Sequence, residues 1–200
     1  KTRIGYNKIE YKAWLGEILK TNLTVIIIHL RTKKEMSFVP AHWELAPDIV
    51  RFIRENFGNV EEGGPIIILN GDVKSVEDAY EKWISSGCDG IMIGRGIFGN
   101  PWLFSKTIKK ENLPISEILH TAVEHAKRFE RDLPHKNFAI MKKHFKAYVN
   151  GFDGAKELRV KLMETHNAKE VEEIVDNFIS HKNKRNFLYK IKSLFNAIFD

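Results

Sequence analysis

Three short segments carry residue types suited to gripping an anion: Asn70-Gly71-Asp72, Gly94-Arg95-Gly96 and His29-Leu30-Arg31-Thr32. Each follows a short apolar run, so each lies where a buried strand ends. Glycine at such an end lets a ligand approach the backbone and exposes its N–H groups. Those groups, with a helix N-terminus behind them, favour a phosphate. Arg95 adds a guanidinium able to clamp two phosphate oxygens, and His29 can hydrogen-bond a carbonyl or a phosphate. Asn-Gly-Asp is equally ordinary turn chemistry, so each segment alone reads as a turn or as a site. Two of them on neighbouring strands, with His29 on a third, favour a site.

A second set of residues is cationic. Lys142, Lys143 and Lys146 crowd one helical stretch beside His144, and Arg159 follows on the next. They read either as phosphate contacts for a nucleic acid or as a solvated helix face. The charge distribution bears on the choice. Residues 1–104 carry 13 Lys+Arg and 13 Asp+Glu, whereas residues 105–200 carry 19 and 13, so the whole net charge of +6 lies in the second half. Such an asymmetry suggests a polyanion partner. Cys88 is the sole cysteine, which excludes a disulfide framework and a thiolate metal cluster. It precedes a strand, at the end away from the ligands, and is expected to be structural. No metal site is expected. No apolar run approaches the roughly 18 residues of a membrane span. The chain opens Lys1-Thr2-Arg3 with no secretory leader and no methionine. The expectation is a cytoplasmic protein whose natural start lies upstream.

The elements that must position these residues alternate through the first half. Lys1–Ile4 reads as a strand end, Tyr11–Thr21 as a helix, Thr24–His29 as a buried strand and Ala46–Asn56 as a helix. Ile66–Leu69 is the next strand. Ser75 caps a helix running to Ser86, Gly87 ends it, and Gly90–Ile93 is the fourth strand. This alternation implies right-handed βαβ units with ligands at the C-terminal strand ends. Four strands make either a small open sheet or half of a barrel. From Ile115 onward the period is helical throughout: Ile115–Arg131, Asn137–Val149, Gly154–Thr165, Ala168–Ser180 and Asn186–Phe199.

At this point the residues resemble the tRNA-dihydrouridine synthases. The stretch Pro65–Phe104 is similar to that family's seventh and eighth barrel strands, through Asn70-Gly71-Asp72, Gly87-Cys88-Asp89-Gly90, Met92-Ile93-Gly94-Arg95 and Gly99-Asn100-Pro101-Trp102. Lys1–Gly5 resembles the end of the fifth strand, and His29-Leu30-Arg31-Thr32 the sixth-strand motif. Met141–His144, Gly151, Gly154-Ala155 and Leu158-Arg159 resemble the family's helical domain. The resemblance implies the C-terminal half of a (β/α)8 TIM barrel over residues 1–104 and a small helical-bundle, tRNA-binding domain over 105–200. It implies FMN as hydride carrier, NADPH or NADH as reductant, and reduction of the C5–C6 bond of uridines in tRNA. The implied FMN contacts are Lys1, His29, Asn70, Gly71, Asp72, Gly94 and Arg95. The implied RNA contacts are Lys142, Lys143, His144, Lys146 and Arg159. The full-length form is expected to be a monomer.

Two departures stand out. Leu30 replaces a glycine, and the family's catalytic cysteine, in an Asn-x-Gly-Cys-Pro context, has no match here. No catalytic residue is therefore expected in this chain, which reads as a fragment inactive alone. The alternatives are a flavin-binding barrel enzyme acting on a small metabolite and a non-catalytic tRNA-binding module.

Overall fold

The computed structural model describes residues 1–182, which form two compact units, Lys1–Ile97 and a second beginning at Phe98. In the first unit four strands, β1 (Thr2–Arg3), β2 (Val25–His29), β3 (Ile66–Asn70) and β4 (Gly90–Met92), form one parallel sheet in the order β1-β2-β3-β4. Helices α1 (Tyr11–Leu19), α2 (Ala46–Phe57) and α3 (Val76–Ser86) make the three crossovers.

The register explains the core. Ile26 lies opposite Ile67, and Ile28 opposite Leu69. All four are buried with Leu15 and Leu19 of α1 and Ile49, Val50 and Ile53 of α2. The alternate residues Ile27, Ile66 and Ile68 sit on the other face and are only half-buried. Parallel sheets are ordinarily covered on both faces, so this apolar face is unusually accessible.

Local chemistry sets most helix ends. Ser75 Oγ accepts from the Asp78 N–H at 3.1 Å, and Gly87, in left-handed backbone, closes α3. The first helix stops two residues before Thr21. There the Thr21 and Asn22 N–H groups turn back to Ile18 O and Leu19 O, with Asn22 at φ 53°. Trp14 does not join the core. It is half-exposed, and its indole N–H donates to Thr2 Oγ1 at 2.7 Å.

The second unit is helical in its described part, with α4 (Ile115–Asp132), α5 (Lys142–Tyr148), α6 (Ala155–Met163) and α7 (168–182). Leu119 and Ala122 of α4, Phe145 of α5, Leu158 and Leu162 of α6, and Val171 and Val175 of α7 share one core. The single helix expected over Asn137–Val149 is instead a 3-10 turn, Phe138–Met141, followed by α5. The Asn137 side chain captures the Ala139 N–H at 2.8 Å, which tightens the first turn. The helix expected over Asn186–Phe199 lies outside the described residues. No helix among the described residues is long and apolar enough to cross a membrane, and no cluster of them suits a metal ion.

Candidate functional site

The register also builds the site. Arg3, His29, Asn70 and Met92 are successive partners across the four strands. Partners in a parallel ladder share a face, so these strand-end residues form one row on the half-buried side. Lys1 joins the row, with Nζ 3.2 Å from Asn70 Oδ1 and 2.9 Å from Met92 Sδ. The other half of the Asn70 amide donates to Met92 O at 2.7 Å, which fixes its orientation. Arg3 donates to Thr32 O at 2.8 Å. Burial, then the positive charges of Arg3, Arg31 and Lys1, push the His29 pKa down to about 4, against the opposing pull of Asp72. His29 is therefore a neutral imidazole at physiological pH.

Past the row the β3 end turns sharply. Gly71 has φ +144°, and a Cβ there would lie 2.6 Å from Ala41 Cβ and 3.3 Å from the His29 ring. Its carbonyl accepts from the Trp43 indole at 2.8 Å. Asp72, at φ 51°, gathers three donors. Oδ2 accepts from the Ala41 N–H at 3.0 Å and from Arg31, and Oδ1 accepts from Arg95 at 3.0 Å. Partial burial works to raise the Asp72 pKa, but the Ala41 N–H and the two guanidiniums outweigh it and hold the carboxyl below its ordinary value. Beside Asp72, a Cβ added at Gly94 would meet only Asn70 Nδ2, at 3.9 Å, so the space over Gly94 is open.

Two cavities open at these strand ends. One, of about 360 Å³, is lined by Lys1, Arg3, His29 and Lys33 with Tyr6 and Trp14, and no carboxylate lines it. The other, of about 810 Å³, is lined by Arg31, Lys74, Lys82 and Arg95 and by the carboxylates of Asp72 and Asp78. Cationic walls of this kind suit a phosphorylated ligand.

In the second unit, Lys143 and Lys146 are exposed and Lys142 is half-buried. Lys143 Nζ sits 5.4 Å from the centre of the Phe98 ring. His144 turns inward, its ring 5.0 Å from Phe98 and 4.8 Å from His125. The Tyr148 hydroxyl lies 3.3 Å from His125 Nδ1. Burial first, then His125 and Lys143, push the His144 pKa down to about 4, and burial lowers that of His125. Arg159 donates to Val149 O at 2.7 Å and so caps the end of α5.

Residues 1–184 match the family model described as dihydrouridine synthase. The chain belongs to the dihydrouridine synthase family. It is 36% identical over 187 residues to a probable tRNA-dihydrouridine synthase of Staphylococcus epidermidis, covering 92% of this chain and 56% of that protein. It is 37% identical over 180 residues to a Staphylococcus aureus protein of the same name, covering 89% and 53%. It is 39% identical over 183 residues to probable tRNA-dihydrouridine synthase 2 of Bacillus subtilis, covering 89% and 54%. The chain thus spans about half the length of these curated relatives.

In this chain, Lys1, His29, Asn70 and Gly71 stand together, with Gly94 beside Asn70 and Arg95 held by Asp72. Arg31 lies within the His29–Thr32 segment but is not among the FMN contacts that the family resemblance implies. The signal was present: an arginine directly after an apolar strand has to find a carboxylate if it is buried. Trp43 and Arg3 were missed because nothing local marks their partners. Cys88 is buried, its thiol donating to Gly90 O at 3.2 Å, as a structural cysteine does.

Proposed function

We propose that this chain is the second half of the FMN-binding (β/α)8 barrel of a tRNA-dihydrouridine synthase (residues 1–104), followed by a helical tRNA-docking domain (residues 105–200). The observation that carries the reading is the strand-end row, where Lys1, His29 and Asn70 meet the Asp72–Arg95 pair. The half-buried apolar sheet face supports it, because further barrel strands would close over that face. The compact units divide at Ile97, close to the proposed boundary.

FMN suits the residues present. The space over Gly94 is open, the Arg95 side chain is 64% exposed, and no carboxylate lines the Lys1 cavity. Bound FMN would supply a hydride to C6 of a uridine, with NADPH or NADH as the reductant, and the proton at C5 would come from the family's cysteine, which has no match in this chain. The chain's own residues orient and hold. Gly94 and Arg95 grip the phosphate, with Asp72 behind them. Gly71 makes the turn that carries Asp72 into place, with Ala41 and the His29 ring packed where a side chain would stand. Lys1, fixed by Asn70, would contact the flavin ring or its neighbourhood, and neutral His29 would offer a hydrogen bond without adding charge. The uridine is flipped out of its stack, since its reacting atoms are inaccessible within one. No catalytic residue is assigned to this chain, because its only cysteine is buried below the sheet end. The chain alone is therefore inactive.

Lys142, Lys143 and Lys146 meet the tRNA backbone in this proposal. His144 and Arg159, which are engaged inside the unit, hold α5 in place for them. Absorption spectroscopy and RNA binding of the purified protein test the reading. It predicts a flavin spectrum, with binding of tRNA but not of free uracil or dihydroorotate. Binding of the small metabolites instead would support a metabolite-reducing barrel. A colourless protein that still binds tRNA would support a non-catalytic RNA module.

A further inference from the structure

We infer that Asp72 is a positioning residue that holds two guanidiniums at one phosphate site, the exposed Arg95 as its contact and the buried Arg31 as a fixed positive charge behind it, which makes Arg31 a second cationic part of that site. The inference rests on the flavin-phosphate reading above.

The geometry separates the roles. Arg31 is 2% exposed. Its Nε donates to Val39 O at 2.7 Å, its NH1 lies 3.4 Å from His29 Nε2, and its NH2 meets Asp72 Oδ2. It is a fixed charge. Arg95 is held through Asp72 Oδ1 at 3.0 Å, and its side chain is mostly in solvent, so it can adjust to a ligand. Both guanidiniums and Asp72 line the same cavity of about 810 Å³.

An ionised carboxylate facing a phosphate would repel it. Both Asp72 oxygens are instead occupied by donors, so its place is behind the arginines. Arg31 and Arg95 outnumber Asp72, and Asp78 in the same lining is paired with Lys82, so the cavity keeps a net positive charge for an incoming anion. The same carboxylate ties down the Ala41 N–H, so the loop bearing Val39 and Ala41, the β3 end and the turn that follows β4 are linked at one point. Asp72 thus acts on the ligand through Arg31 and Arg95.

Titration with FMN and with riboflavin, which lacks the phosphate, tests this. In Asp72→Asn, affinity for FMN should fall on the order of tenfold or more as the guanidiniums lose their anchor, while riboflavin affinity stays unchanged. Arg31→Lys keeps the charge and loses the fork, and should show the same selective loss. Equal weakening of both flavins in both variants means a merely structural role and overturns the inference, as does unchanged FMN affinity. Inorganic phosphate gives an independent arm. It should raise the melting temperature of the wild-type protein and not that of Asp72→Asn. If the wild type binds neither flavin, the flavin reading fails, while a phosphate response lost in Asp72→Asn still upholds the paired-arginine site. No phosphate response in the wild type overturns it.

Discussion

Replacing Gly71 with alanine probes the turn on which the site depends. Gly71 sits at φ +144°, a conformation that costs a side-chain-bearing residue about 1–3 kcal/mol. The new Cβ would lie 2.6 Å from Ala41 Cβ, well inside contact distance. Neither wall can withdraw freely, because the Ala41 N–H is bonded to Asp72 and the Gly71 carbonyl to Trp43. Overpacking of this kind adds about another 1–3 kcal/mol. The total is roughly 2–6 kcal/mol, which for a unit of this size lowers the melting temperature by about 10 °C or more. Urea unfolding followed by tryptophan fluorescence suits the measurement, because Trp43 touches the turn. Ala41→Gly added to Gly71→Ala removes the clash but not the backbone strain. The pair should therefore show a favourable coupling of about 1–2 kcal/mol. A Gly71→Ala protein as stable as the wild type, or a coupling near zero, would refute the argument.

Three other outcomes follow from the geometry. The His125–His144 contact should make the second unit acid-labile. His144 has its pKa lowered from 6.5 to about 4, so the unfolded chain binds its proton first as pH falls. Stability is full above about pH 6.5 and is lost progressively toward pH 4, and in circular-dichroism melts the wild type should lose stability relative to His144→Phe through that window, a gap that persists below pH 4. Replacing Lys142, Lys143 and Lys146 together should weaken tRNA binding and reduce the slope of log affinity against log salt by roughly two units; an unchanged slope in filter binding would make the face merely solvated. Ser75→Ala should destabilise the first unit by about 1 kcal/mol in denaturant unfolding through loss of the α3 cap.

Much of the first unit was legible because its signals are local. The apolar runs at 25–28 and 66–69 are strands, and Ser75, Asp78 and Gly87 mark the ends of α3 by their own chemistry. The glycine and arginine segments at the strand ends could be placed because a parallel sheet puts all such ends on one side. What the sequence hid depends on contacts distant along the chain. The Arg31–Asp72 pair joins residues 41 apart, and the Trp43–Gly71 bond joins residues 28 apart. No period or cap announces either. The break at Phe138–Met141 was missed for a different reason: helical spacing of apolar residues continues through it, and only the Asn137 side chain changes the turn. His144 read as a surface contact because it lies among lysines, yet its ring packs inward against Phe98 and His125.

Parallel titration of the wild-type protein and Arg95→Ala with FMN and riboflavin is the sharpest test of the proposal that the strand ends hold the phosphate of a flavin. The wild type should bind FMN much more tightly than riboflavin, and Arg95→Ala should remove most of the difference. Equal wild-type affinity for the two flavins, or a preference for FMN that survives the loss of Arg95, would contradict it.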